Sequence, residues 1–113
     1  MAAAWRLARA AVRDLDTILA TSFERWGELG RARYASLLYA AFEQIAARPE
    51  GRLTHAVDEL QPGLRRFHLR SVLAAKGVKA PVHVVYYRPA PTGVIEVARV
   101  LHERVEPTLH FVK

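Results

Sequence analysis

The nine residues from Val94 to His102 (VIEVARVLH) constrain the fold more than any other stretch of the chain. They are dense in β-branched side chains and follow the turn Pro91, Thr92, Gly93, which predicts a strand in the interior of a sheet. One alternating set is Ile95, Val97, Arg99 and Leu101; the other is Val94, Glu96, Ala98, Val100 and His102. Neither set is cleanly polar, whereas an antiparallel strand with one wet face alternates sharply. Both faces must therefore be covered, either within the fold or by another molecule. Arg99, on an otherwise apolar set, must find a carboxylate, reach a rim or mark a bulge.

A chain of 113 residues that is 51% hydrophobic is long enough to bury a core and is predicted to form a single domain, residues 1–113. Seventeen basic against eleven acidic residues leave a formal charge of +6, which favours an acidic partner: nucleic acid, a membrane surface or an acidic protein segment. The absence of cysteine excludes disulfides, thiolate metal sites and a cysteine nucleophile, and agrees with a cytoplasmic location. Charge interrupts the N-terminus too early for a secretory signal. The longest uncharged apolar stretch, Tyr34 to Phe42, is far below the ~18 residues of a membrane span, so no membrane association is expected.

Along the chain, Trp5 to Arg9 suits a short first strand with Trp5 and Leu7 inward. From Ala10 the period lengthens, and Val12, Leu15, Ile18, Leu19, Ser22, Phe23 and Trp26 form one helical stripe ended by Gly27 and Gly30. A second stripe, Tyr34, Leu37, Leu38, Ala41, Phe42 and Ile45, runs to Arg48, where Pro49 stops it. The join within Gly27 to Arg31 is short enough to make the two helices an antiparallel hairpin. The polar stretch from Pro49 to Gly63 reads as loop with at most one helical turn. Leu64 to Arg70 alternates Phe67 and Leu69 against Arg66, His68 and Arg70, a strand with a basic edge or face. Ser71 to Pro81 is a connection, Val82 to Arg88 a strand, and Pro89 to Gly93 turns into Val94 to His102. The predicted class is α+β: a strand, a helical hairpin and a three-stranded antiparallel meander, with the hairpin on one face of the sheet.

No metal motif is present: His55, His68, His83, His102 and His110 have no carboxylate at ligand spacing, and no cofactor is expected. Gly27 and Gly30 join helix to helix, so they do not make a phosphate loop. A metal-free nuclease needs a base, an acid and cations around a phosphate. Arg66, His68, His83, Tyr86, Tyr87, Arg99 and His102 sit on three neighbouring strands and could supply them. The stronger reading is structural, with the tyrosines as packing residues and Arg99 paired to Asp14 or Glu43 on the helices. The basic stripe Arg65, Arg66, His68, Arg70, Lys76 and Lys79 lacks interleaved aromatics, so a solvated face or an anchor for an acidic peptide is expected ahead of nucleic acid.

The order of elements and several local strings together resemble the ParE toxins within the RelE/ParE group of bacterial toxin-antitoxin systems. The strings are Trp5, Arg6, Leu7, Ala8 with Ala10, Asp14, Leu15 and Ile18; Ala32, Tyr34 and Leu38; Pro49, Gly51 and Arg52; Gly63, Leu64 and Arg65; Tyr86, Tyr87 and Arg88; and Gly93, Val94, Ile95 running into Arg99, Val100, Leu101, His102. They cover nearly the whole chain. Two features depart from the family pattern: Val105-Glu106 stands where Met-Asp is usual, and the connection Ser71 to Pro81 is longer than the common form.

The resemblance implies a toxin that binds and inhibits DNA gyrase, without catalytic residues, and that is neutralised by a small antitoxin whose acidic C-terminal segment wraps the hairpin and sheet in a toxin-antitoxin hetero-oligomer. Sequence-specific DNA binding would belong to the antitoxin. The antitoxin-facing residues are expected to be Leu29, Tyr34, Leu38 and Phe42 on the hairpin with Arg66, His68 and Arg70 on the strand edge. The target-facing residues are expected in the segment Arg99 to Lys113: Arg99, His102, Arg104, His110 and Lys113. The alternatives are a ribosome-dependent messenger-RNA endonuclease of the RelE type, using Arg66, His68, Arg99 and His102, and a non-toxic nucleic-acid-binding module.

Overall fold

The computed structural model describes residues 5–73 and 77–111. Its elements are β1 (Trp5–Leu7), α1 (Arg9–Ala47), β2 (His55–Ala56), β3 (Arg65–His68), β4 (His83–Pro89) and β5 (Ile95–His102), with 3-10 turns at Leu69–Ser71 and Pro107–Leu109. The sheet order is β1-β5-β4-β3-β2. β1 runs parallel to its neighbour, and the other pairs are antiparallel. The fold is thus α+β, with helix packed on a mixed sheet and β5 inside it.

The predicted hairpin exists, but its join is one residue long. Gly27, at φ 73 and ψ −169, is the non-helical residue within α1 and divides it into a first limb, residues 9–26, and a second, residues 28–47. That backbone region is open essentially to glycine alone. Gly30 serves a different purpose. A Cβ there would lie 2.3 Å from the Cβ of Trp26, so the glycine permits the close approach of one limb to the start of the other. Both glycines were expected in the loop, whereas the helix already resumes at Glu28.

Contacts along the limbs fix their direction. The first limb starts beside Val97, whose carbonyl accepts from Ala8 N–H, and passes Arg99 at Asp14. The second meets His83 at Tyr34, then Trp5 at Tyr39, Phe42 and Glu43, so it runs back along the sheet. Trp5 Nε1–H donates to Glu43 at 2.6 Å, tying β1 to the second limb. The helix ends where Pro49 requires, and the Pro49 carbonyl is taken by the Tyr87 hydroxyl.

Two cores explain the two-sided pattern of β5. On the helix side, Ile95, Val97 and Val100 pack with Phe67, Val85, Tyr87 and the limb residues Ile18, Leu37, Leu38, Phe42 and Ile45. On the other side, Ala98 and Leu101 join Val84, Tyr86, Leu64, Val57, Leu60 and Phe111. The chain itself therefore covers that second face, with residues 57–64 and the C-terminal segment. Apolar residues change sides between Val97 and Val100 because the β4–β5 register slips: Tyr87 faces Val97 and Tyr86 faces Arg99, leaving Ala98 as the extra residue of a bulge.

Three local expectations are corrected. The stretch read as loop contains edge strand β2, two residues paired with Arg65 and Arg66, too short for any period to show. The strand expected to run to Arg70 stops at His68 and turns. The first helical stripe is rotated: the buried line is Ala11, Ile18 and Ser22, while Val12, Phe23 and Trp26 are exposed.

A candidate partner-binding groove

Large apolar side chains from both limbs stand exposed at the hairpin tip. Phe23, Trp26 and Leu29 are 51%, 61% and 62% exposed, and Trp26 and Leu29 line a groove of about 860 Å³. One wall is the tip of α1 with Arg25 and Arg33; the opposite wall is the connection into β4, with Lys79 and Ala80; Ile18, Tyr34, His83 and His102 close the bottom. Among the described residues, three permanent cations line this groove and no carboxylate does. An apolar strip between like-charged walls repels a second copy and suits an amphipathic segment carrying acidic flanks.

The end of the groove is a hydrogen-bonded cluster. The Tyr34 hydroxyl accepts from Val82 N–H at 3.3 Å and is hydrogen-bonded to His83 Nδ1 at 2.6 Å. Burial pushes Tyr34 up to about 12. Burial and then the neighbouring His102 push His83 down to about 4. Both groups are therefore neutral at pH 7 and serve as a polar clamp between helix and sheet. The His83 and His102 rings meet edge-on at 5.5 Å, and His102 Nδ1 accepts from Arg104 N–H.

On the opposite face of the sheet, His68 is buried. Its Nδ1 accepts from Arg70 N–H at 3.0 Å, so the ring proton lies on Nε2, 2.7 Å from Glu103 Oε1. The hydrogen bond to His68 holds Glu103 below the usual carboxylate range. Phe111 packs on Tyr86, ring centres 5.2 Å apart, and fastens the C-terminal segment over this face.

Arg99 turns to the helix side. Its guanidinium binds Asp14 through two nitrogens, at 2.8 and 2.9 Å, and the same carboxylate accepts from Val100 N–H at 2.9 Å. This bidentate pair holds the bulge against the first limb.

This architecture carries the sequence of a known family. A family model described as "ParE toxin of type II toxin-antitoxin system, parDE" matches residues 5–107. The chain belongs to the ParE toxin family. It is 37% identical over 108 residues to Toxin ParE1 of Caulobacter vibrioides, covering 95% of this chain and 96% of that protein. It is 32% identical over 106 residues to Toxin ParE1 of Mycobacterium tuberculosis (strain H37Rv), covering 94% and 95%.

In this ParE toxin the residues named from sequence fall into three places. Leu29, Tyr34 and His102 meet at the groove. Leu38 and Phe42, expected to face the antitoxin, are 2% and 3% exposed and belong to the core under the second limb, because they point at β5 and Trp5. Arg66 and His68 lie on the far face of β3, beside Tyr86 and Val84, so they do not form one surface with the hairpin. Arg70 is exposed on the turn after β3.

The expected target-facing set is also divided. Arg104 and His110 are exposed on the C-terminal segment, Arg99 is committed to Asp14, and Lys113 and Lys76 lie outside the described residues. The nuclease set Arg66, His68, Arg99 and His102 does not converge, since Arg99 is drawn to the first limb and His68 is buried against Glu103. Among the described residues no group of three or more His, Asp or Glu side chains is arranged to hold a metal ion. No helix among them is long and apolar enough to cross a membrane.

Sequence reasoning missed Arg25, Trp26, Arg33 and Lys79 as a set. No periodic signal separates Trp26 from the buried line, since it stands one turn beyond, and on the same helical face as, Ser22. The Ser22 hydroxyl donates to the Ile18 carbonyl at 3.0 Å, which satisfies it inside the helix.

Proposed function

We propose that this ParE toxin inhibits DNA gyrase by binding, and that its antitoxin silences it by laying an acidic amphipathic segment in the groove at the hairpin tip. The observation that supports the antitoxin part is the groove itself: exposed Trp26 and Leu29 between Arg25, Arg33 and Lys79, with no lining carboxylate among the described residues. Gyrase as the target rests on the family. The target surface is proposed to be the exposed C-terminal segment, Arg104 and His110, with Lys113 beyond it. Arg66 and Arg70, on other surfaces, are left to a continuation of the antitoxin segment past the groove. A toxin acting by binding needs no acid–base pair on the sheet, and the dispersal of Arg66, His68, Arg99 and His102 favours that mode over RNA cleavage.

The test is a pair of assays on purified protein. Loss of gyrase supercoiling with messenger RNA intact in a translating extract supports this reading. Cut messenger RNA with normal supercoiling would replace it with the RelE-type reading.

A further inference from the structure

The wall opposite Trp26 is built unusually for a structural element. The connection between β3 and β4 is held through its backbone by side chains from elsewhere. Gln44 donates to the Ser71 carbonyl at 3.2 Å and accepts from Leu73 N–H at 2.9 Å. Gly77, at φ 78, lies against the Arg33 side chain. At the far end the Tyr34 hydroxyl takes Val82 N–H, and Glu103 N–H donates to the Val82 carbonyl at 2.7 Å. Val78 alone of residues 77–80 is packed on the core. Lys79 and Ala80 are exposed and line the groove, and Lys79 has no hydrogen bond or ion pair among the described residues. Their side chains can change without cost to the fold while changing what the groove touches.

We infer that residues 77–80 of this connection determine which partner the groove accepts, with Lys79 reading the charge on the facing edge of the bound segment and Ala80 leaving room for its close approach. The inference rests on the groove being the partner site. Specificity of this kind uses repulsion as well as attraction: an acidic edge pairs with Lys79, and a basic edge is rejected by it.

Two synthetic amphipathic helical peptides with the same leucine face provide the test. One carries glutamate on both edges; the other carries glutamate on one edge and lysine on the other. Wild-type protein is expected to prefer the first by about fivefold at low salt, because one exposed ion pair forms and one repulsion is avoided. In Lys79→Glu, with an unchanged thermal melt, the preference is lost or reversed, because the lysine edge now meets a carboxylate at position 79. In Trp26→Ala both peptides weaken alike and the preference stays. If Lys79→Glu keeps the wild-type preference while Trp26→Ala weakens both peptides, the connection does not read the partner and the groove reading stands. If Trp26→Ala leaves both affinities unchanged, the groove reading fails and this inference with it.

Discussion

Two side-chain contacts carry the clearest residue-scale consequences. Asp14 serves two donors at once, the Arg99 guanidinium and Val100 N–H. Asp14→Ala strands a half-buried cation and a backbone N–H, and is expected to cost about 2 to 4 kcal/mol in urea unfolding. The double variant Asp14→Ala with Arg99→Ala should cost clearly less than the sum of the two single changes, since each removes the same pair. His83 gives the pH dependence. Its folded value near 4 lies below the ordinary 6.5, so the unfolded chain binds the extra proton between those values. Stability contributed by the neutral ring is present above pH 6.5 and is lost as pH falls towards 4. His83→Asn is expected to flatten that part of the stability profile, measured as urea midpoints from about pH 7 down to about pH 4. That Arg99 needs a carboxylate was legible in the sequence, because it sits on an apolar strand set; Asp14 and Glu43 were both open as its partner, and the fold selects Asp14. The Tyr34–His83 clamp was not: the two residues are 49 positions apart and carry no periodic signal.

At the scale of elements, the glycines of α1 decide how the hairpin closes. Gly27→Ala puts a side chain at φ 73, ψ −169, and should cost about 1 to 3 kcal/mol of stability from backbone strain alone, since open space surrounds its Cβ. Gly30→Ala instead collides with Trp26, so it should shift the tryptophan's fluorescence as well as lower the melting temperature. Helices and the longer strands were readable because each carries a full period of apolar residues. Strand β2 has two residues and no period, and the first limb's orientation was misread because Phe23 and Trp26 extend the apolar stripe without belonging to the buried line. The bulge at Ala98 shows the same limit. Alternation predicted a conflict at Arg99, but only the register slip against Tyr86 and Tyr87 shows how it is resolved.

For the whole molecule, the chain itself covers both sheet faces, which leaves the hairpin tip as the proposed partner surface. The two-sided strand left open whether the fold or a partner covers the second face, and Phe111, Leu64 and Val57 occupy it. The tip stays uncovered, with Phe23, Trp26 and Leu29 exposed among Arg25, Arg33 and Lys79. Net charge pointed to an acidic partner from sequence alone; its place needed the fold, because Arg25, Arg33 and Lys79 come together only when the hairpin closes beside the β3–β4 connection. On the proposed reading, silencing at the groove and inhibition through the C-terminal segment are separable functions of one small protein. Gyrase supercoiling with Trp26→Glu protein, in the presence and absence of the antitoxin, tests that separation most directly. Inhibition should equal that of the wild type and should no longer be relieved by the antitoxin. Relief at the antitoxin concentration that silences the wild type would show that the groove is not where silencing occurs.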